Sequence, residues 1–364
     1  MFKGLPLLFI LLLSTPALAE NWPAEQWSTG AQITGPALQA LETYAFAPRD
    51  DATRTGVRTD ALLVIRDGQL IYERYAGATT ADTPHLTWSI SKSLMATVLG
   101  VAYGEGLFAL QDPAVKFYPA LNNHPAITLA DLLHWASGLD WQEDYEYAPL
   151  KSSVVAMLYT RGHADMAAFT AAHDSFAPPG QAFRYSSGDS NLLAAALKSM
   201  VGPSRYADYP WTALFAPLGI RHAVWERDAT GTFVASSYAY LTARDLARIG
   251  LLMARDGRWH DRQLLPRDWV AFNLQPFAGY RASQDEAVPG GHWWLNREVD
   301  GAARPWPDAP ADTFAALGHW GQALYVIPSE QLVIVRYGDD RDGTYRHNDL
   351  LKLAMKAFAA KVQP

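Results

Sequence analysis

Apolar runs near the two ends of the chain predict two β-hairpins. The first covers residues 61–77, where Asp67 and Gly68 separate two apolar runs at a tight turn that requires positive φ. The second consists of residues 323–327 and 332–337, joined through a Pro-Ser-Glu turn. We expect these distant strands to pair into one antiparallel sheet.

Apolar positions at helical spacing fill the middle of the chain and its last residues. The predicted helices cover residues 91–103, 129–136, 153–159, 190–200, 242–254 and 349–360. Thr128 and Thr242 are candidate N-caps, because a threonine hydroxyl can accept a hydrogen bond from the first helical turn.

Together these elements predict an α+β fold with a sheet made from both chain ends. Its α/β part would cover roughly residues 55–90 and 230–364, and a helical lobe would be inserted over roughly residues 105–225. The cleft between the two parts is the expected site. The least periodic stretch, residues 276–310, is interpreted as a long loop that forms either a functional cover or a poorly ordered segment.

The first 19 residues are typical of a secretory signal. Lys3 precedes a leucine-rich run over residues 5–13, and Ala17-Leu18-Ala19 forms a small-residue cleavage pattern. The run is shorter than the ~20 residues that span a bilayer, so we expect cleavage after Ala19 rather than a stable membrane anchor. The mature chain, residues 20–364, would then be periplasmic or secreted, with an uncleaved anchor as the alternative.

The amino-acid composition limits the kinds of catalysis and binding that we expect of this chain. The chain has 364 residues, of which 49% are hydrophobic, and a formal net charge of −7. No broad basic field is present to bind nucleic acid or an anionic membrane surface. The absence of cysteine excludes a thiolate nucleophile, a disulfide scaffold and cysteine-ligated metal. Any covalent catalysis must therefore use oxygen or nitrogen.

One Ser-x-x-Lys motif is present, at Ser89-Ile90-Ser91-Lys92, where a helix is predicted to begin. One helical turn would bring the Lys92 amine to the Ser89 hydroxyl. Burial would lower the lysine pKa and favour the neutral amine, which is a base. The sequence contains neither a Gly-x-Ser-x-Gly elbow nor a His-Glu-x-x-His motif.

Two further segments carry candidate chemistry. Tyr185 lies in an aromatic stretch that breaks into a turn before a helix, and its phenol could pass protons between Ser89 and a leaving group. In the second segment, residues 318–322, Gly321 would let a substrate lie along the strand edge, and the Gln322 N–H could stabilise an oxyanion.

The order of Ser89-x-x-Lys92, Tyr185-Ser186-Ser187 and His319-Trp320-Gly321 resembles the three motifs of the serine β-lactamase and penicillin-binding-protein superfamily. The likeness is strongest to its class-C-like branch, which includes β-lactamase-related esterases and 6-aminohexanoate-dimer hydrolases. Residues 132–139 and 245–252 also have counterparts in many members, and the resemblance covers roughly residues 61–359.

The resemblance implies a β-lactamase-like fold and a set of roles. Ser89 would be the nucleophile that forms an acyl-enzyme, Lys92 its activating partner, and Tyr185 the proton shuttle and base. Backbone N–H groups of Ser89 and Gln322 would form the oxyanion hole. Tyr145, on the loop after Ser137-Gly138-Leu139, would assist amide cleavage.

Two departures from the superfamily pattern affect the expected substrate. Ser187 stands where β-lactamases commonly have asparagine, and His319 stands where they have lysine, which weakens recognition of an anionic acylamino β-lactam. The predicted substrate-binding positions are these two residues together with Tyr145, Trp320 and Gly321.

We therefore expect a hydrolase of small-molecule esters or amides that needs no metal or organic cofactor. A β-lactamase or D-alanyl-D-alanine carboxypeptidase, and a non-catalytic binding module on the same fold, remain alternatives.

Overall fold

The computed structural model describes residues 20–282 and 287–359, so the predicted signal segment, residues 1–19, lies outside the described residues. The helices are α1 Pro36–Ala45, α2 Ile90–Gly104, α3 Leu129–Leu133, α4 Ser153–Tyr159, α5 Met166–Ala171, α6 Ser187–Val201, α7 Pro203–Tyr206, α8 Ala216–Leu218, α9 Ala243–Ala254, α10 Arg267–Asn273 and α11 His347–Phe358. The strands are β1 Thr59–Arg66, β2 Gln69–Tyr75, β3 His85–Leu86, β4 Val224–Trp225, β5 Ala239–Leu241, β6 Arg258–Trp259, β7 Arg262–Gln263, β8 Val288–Pro289, β9 Trp294–Leu295, β10 Phe314–Gly318, β11 Gln322–Ile327 and β12 Leu332–Gly338.

Seven strands form one antiparallel sheet in the order β2-β1-β12-β11-β10-β9-β8. Both predicted hairpins are confirmed, and β1 pairs with β12, which joins the two ends of the chain as expected. The first hairpin turns at Asp67 and Gly68, whose φ values are 51° and 74°. Two successive positive φ angles are what a two-residue hairpin turn requires.

Both faces of the sheet are covered, which explains why its central strands are continuously apolar. Along β1, Leu63 and Ile65 point into the core that contains α2 and α9, whereas Leu62 and Val64 point into a second core beneath α1 and α11. A shift of one residue would exchange these two sets of side chains, so the hydrophobic pattern fixes the register.

The inserted lobe contains α3 to α8, and α6 is packed against α2, α3 and α5. Thr128 and Thr242 cap their helices as predicted, with each side chain accepting a hydrogen bond from the backbone N–H three residues later. Helix α6 begins at Ser187, three residues earlier than predicted, because Ser186 provides its cap. Within the described part of the chain, no helix is both long and apolar enough to cross a membrane.

The interpretation of residues 276–310 as a loop needs correction. Strands β8 and β9 lie in this stretch and extend the edge of the main sheet beyond β10. His292 and Trp293 between them are almost completely buried. Each strand has only two residues, which is too short to produce a periodic signal in the sequence.

Candidate active site

The start of helix α2 carries the predicted nucleophile. Ser89 is the N-cap residue of this helix and is partly exposed, while the helix behind it is buried along most of its length. Trp88, just before it, has φ 49°, a left-handed conformation that is uncommon for a bulky residue. Such strained turns occur at functional sites, where the surrounding packing maintains them.

Lys92 lies one turn into α2, is 1% exposed, and points back towards the N-terminus of the helix. Its Nζ donates hydrogen bonds to Ser89 Oγ at 3.0 Å and to the carbonyl of Ser236 at 2.9 Å. Burial lowers the pKa of Lys92 to about 8, and the negative charge of Glu143 acts in the opposite direction. A substantial fraction of the amine is therefore neutral slightly above neutral pH.

Tyr185 completes the group of three. The Lys92 Nζ atom lies 4.8 Å from the centre of its ring, and Trp135 and Trp294 contact the ring at centroid distances of 4.9 and 5.5 Å. Burial raises the phenol pKa well above its usual value, and an interaction with the Ser89 hydroxyl only partly offsets this rise. The structure thus brings the hydroxyl, the amine and a neutral phenol together, as the sequence predicted.

Ser89 and Tyr185 border a pocket of about 530 Å³. Its lining also includes a loop of the helical lobe, the end of β10, and Trp294 of β9. The lining residues are Ser89, Glu143, Asp144, Tyr145, Glu146, Tyr147, Tyr185, Trp294, Leu317, Gly318 and His319. A larger pocket of about 740 Å³ lies near the β1–β2 turn and contains none of the predicted site residues.

The loop of residues 143–147 reaches across the pocket to the end of β10. Tyr145 stacks on the His319 imidazole at a centroid distance of 5.1 Å. His319 Nε2 lies 2.9 Å from Glu146 Oε1, and burial is the main reason that the pKa of His319 is below its ordinary value. Tyr145 therefore lies at the pocket, on the loop where the resemblance placed it.

The end of β10 lies close to the Ser89 turn because Gly318 has no side chain. A Cβ on Gly318 would lie 2.4 Å from the carbonyl oxygen of Thr87. The backbone of Gly318 and His319 consequently borders the pocket beside Ser89. Gln322, the predicted oxyanion donor, is fully buried at the start of β11, and its side chain exchanges two hydrogen bonds with the backbone of Gly338.

Trp320 and Gly321, two further predicted substrate-binding residues, are not among the residues that line this pocket. The Arg341 guanidinium lies 3.9 Å from the Trp320 ring centre. A Cβ on Gly321 would lie 2.3 Å from Asp340 Oδ2 and 2.4 Å from Arg336 Nη1. The absence of a side chain at Gly321 makes room for this buried ion pair.

Ser187 donates two hydrogen bonds to the carboxylate of Glu143. The Ser187 hydroxyl donates to Glu143 Oε1 at 2.5 Å, and the Ser187 N–H donates to Glu143 Oε2 at 2.9 Å. Sequence reasoning missed Glu143, although it lies only two residues before Tyr145. It also missed Ser236, which nothing in the sequence pattern distinguishes from other loop serines.

The sheet order, the flanking helices and the Ser-x-x-Lys at the start of a buried helix define a hydrolase of the β-lactamase and penicillin-binding-protein class. The chain belongs to the Beta-lactamase family, whose sequence model matches residues 43–354. This assignment confirms the resemblance drawn from the three motifs.

Individual relatives agree with this assignment. The chain is 29% identical over 307 residues to the 6-aminohexanoate-dimer hydrolase of Paenarthrobacter ureafaciens, covering 79% of this chain and 74% of that protein. Two solved structures share the fold. EstCE1, a hydrolase with promiscuous acyltransferase activity, matches with a TM-score of 0.69, 15% identity, and coverage of 89% of this chain and 98% of that one. A penicillin-binding protein from Bacillus halodurans matches with a TM-score of 0.63, 17% identity, and coverage of 82% and 96%.

Proposed function

We propose that this protein is a serine hydrolase that cleaves carboxylic esters or amides through an acyl-enzyme on Ser89. The observation that carries the proposal is the 3.0 Å contact between Lys92 Nζ and Ser89 Oγ, because Ser89 borders the pocket. A serine hydroxyl is a weak nucleophile until an adjacent base removes its proton. A buried amine with a pKa of about 8 is matched to that task near neutral pH.

In the first step, Ser89 Oγ attacks the substrate carbonyl carbon while neutral Lys92 accepts the hydroxyl proton. The negative charge moves to the carbonyl oxygen. We assign its stabilisation to the backbone N–H groups of Ser89 and His319, because both residues border the pocket and Gly318 holds them near each other. This assignment replaces Gln322 with His319.

Tyr185 serves as the proton shuttle in the second step. Because its phenol stays protonated, it can donate this proton to the leaving alkoxide or amine and take the proton held by Lys92 in exchange. The bond from the carbonyl carbon to the leaving group then breaks, which leaves the acyl group on Ser89. Water then attacks the acyl carbon and gives a proton to the same amine and phenol. The bond from that carbon to Ser89 Oγ breaks, Oγ takes this proton, and the carboxylic acid is released.

The charges around the pocket favour simple esters and amides over β-lactams. Glu143 and Glu146 place carboxylates at the pocket, and these would repel the carboxylate of a β-lactam. The Ser187 hydroxyl, which stands in the place of the β-lactamase asparagine, already donates to Glu143. The names of the relatives, a 6-aminohexanoate-dimer hydrolase and a promiscuous hydrolase, support the same substrate classes.

A substrate panel tests this proposal. The purified protein is assayed with short-chain aryl esters, linear amides and nitrocefin, alongside Ser89→Ala and labelling by a fluorophosphonate probe. We expect turnover of esters or amides that exceeds turnover of nitrocefin, and loss of both turnover and labelling in Ser89→Ala. Labelling that persists in the folded variant would identify another nucleophile. Turnover of nitrocefin as fast as turnover of the esters would favour a β-lactamase. Absence of any turnover and labelling in the wild type would favour a binding module.

We also propose that the protein is exported and cleaved after Ala19, on the evidence of the signal pattern in residues 1–19. N-terminal sequencing of protein recovered from the periplasm or medium is expected to begin at Glu20. Recovery of the full-length chain from the cytoplasm would contradict this proposal.

A further inference from the structure

Three donors hold the carboxylate of Glu143 at the edge of the pocket. Trp141 Nε1 donates to Glu143 Oε2 at 2.5 Å, and the N–H and hydroxyl of Ser187 donate as described above. Ser187 is the first residue of α6, so the carboxylate also lies at the positive end of the helix dipole. These hydrogen bonds fix the carboxylate beside the turn that carries Tyr185.

Ser187, Asn191 and Ser236 connect Glu143 to the amine that contacts Ser89. The Asn191 side-chain amide donates to the Ser187 carbonyl and to the Ser236 hydroxyl, each at 3.1 Å. The carbonyl of Ser236 in turn accepts from Lys92 Nζ. Glu143 therefore acts on Lys92 both through space, by its charge, and through the segments that position the amine.

We propose that Glu143 is a positioning residue for the hydrolytic reaction, because its hydrogen bonds with Ser187 anchor the turn that carries Tyr185 and hold a negative charge that acts on the buried Lys92 amine. This inference rests on the proposed function of Ser89 and Lys92. It assigns a role to a residue that none of the three sequence motifs contains.

The direction of the effect follows from the charges that face Lys92. Glu143 is the carboxylate that raises the pKa of this amine, in opposition to burial. His292, also near the amine, is buried with a pKa of about 3 and stays neutral. The Tyr185 phenol is neutral as well. Removal of the Glu143 charge should therefore lower the pKa of Lys92 and extend activity to lower pH.

Glu143→Gln removes the negative charge but keeps the shape of the side chain. The amide oxygen can still accept hydrogen bonds from Trp141 and Ser187, so the variant tests the effect of the charge alone. We expect the acid limb of the kcat/KM profile to move to lower pH by about half a unit or more. Glu143→Ala should move the limb in the same direction and also reduce the plateau, since the Tyr185 turn loses its anchor. The matched control is Glu226→Gln, an exposed carboxylate outside the pocket, which should leave the limb in place.

A direct titration makes the test independent of turnover. Lysine carrying ¹³C at Cε is incorporated into two proteins, the Ser89→Ala variant and the Ser89→Ala/Glu143→Gln double variant. The NMR resonance of Lys92 is assigned as the one that is lost in a Lys92→Ala variant. A lower Lys92 pKa in the double variant supports the proposal. An unchanged pKa, or a Glu143→Gln plateau that falls with no movement of the acid limb, would reduce Glu143 to a structural residue. If the wild type hydrolyses nothing, the proposed function fails while the titration still decides this inference.

Discussion

The His319 imidazole lies 2.9 Å from the Glu146 carboxylate, and this contact joins the two walls of the pocket across its mouth. His319 follows the last strand residue of β10, whereas Glu146 belongs to the loop of the helical lobe. Tyr145, which stacks on the same imidazole, lies next to Glu146 in that loop. The contact therefore helps to position the loop that carries Tyr145 at the pocket.

Loss of this contact is expected to weaken substrate binding more than it slows the chemical step. Glu146 is half exposed, and because its lowered pKa leaves His319 neutral at the assay pH, the contact is a hydrogen bond, which contributes about 0.5–1 kcal/mol. For Glu146→Ala we expect KM to rise about two- to fivefold with little change in kcat. Steady-state kinetics on the best ester of the panel measures both constants. Asp112→Ala, which breaks an exposed pair with Lys116 far from the pocket, is the control. An unchanged KM would show that the loop stays in place without the pair.

Lys92 is expected to control acylation. Lys92→Ala should slow formation of the acyl-enzyme by about 10² or more, which is what a positioned general base contributes. In the wild type, kcat/KM should rise with pH through about 8, because burial lowers the pKa of Lys92 to that value and only the neutral amine is a base. Stopped-flow measurement of the burst with an aryl ester reports both quantities. Lys116→Ala, which changes an exposed lysine, is the control and should behave as the wild type. Near-normal acylation in Lys92→Ala would show that Lys92 is not the base that activates Ser89.

Tyr185 is expected to act through its hydroxyl alone. Tyr185→Phe keeps the ring that packs against Trp135 and Trp294, so the fold and KM should change little. Loss of the phenolic proton should reduce kcat by about 10² or more for substrates with poor leaving groups. The comparison of an alkyl ester with an activated aryl ester tests this point, because a good leaving group needs less proton donation. Equal losses for both esters would contradict a role in leaving-group protonation.

The elements that local patterns specify were predictable from the sequence. Gly68 follows Asp67 in a hairpin turn, and Thr242 precedes an amphipathic helix, so each signal lies within a few residues of the structure it determines. The pairing of Ser89 with Lys92 has the same origin, since one helical turn joins them. The approach of Tyr185 to this pair required the ordered motifs of a known superfamily, because no local rule brings residue 185 to residue 89.

Contacts between distant backbone segments were beyond sequence reasoning. Gly318, rather than Gly321, allows the close approach beside Ser89, and no local sequence pattern distinguishes the extended Gly318 from Gly321, whose φ is 83°. The hydrogen bonds from Ser187 to Glu143 likewise join a helix start to a loop 44 residues away. Short strands such as β8 and β9 have no period to detect, and they were assigned to a loop for that reason.

Asp189 is expected to make stability depend on pH in the direction opposite to most carboxylates. It is completely buried in the first turn of α6, and its Oδ1 accepts from the Ser137 hydroxyl at 2.8 Å. Burial raises its pKa from 3.8 to about 7. Because the folded state holds this proton more tightly than the unfolded state, the contribution of Asp189 is greatest below pH 4 and declines as the pH rises to about 7.

Asp189→Asn keeps an acceptor for Ser137 and removes the charge, so it mimics the protonated side chain. Relative to the wild type, this variant should gain about 1–3 kcal/mol in its free energy of unfolding between pH 5 and pH 8. Urea denaturation of both proteins at the two pH values measures the change, and contributions from other groups cancel in the difference. Asp140→Asn, at an exposed carboxylate paired with Arg184, should show no such pH-dependent gain. A difference between Asp189→Asn and wild type that is the same at both pH values would mean that Asp189 does not titrate in this range.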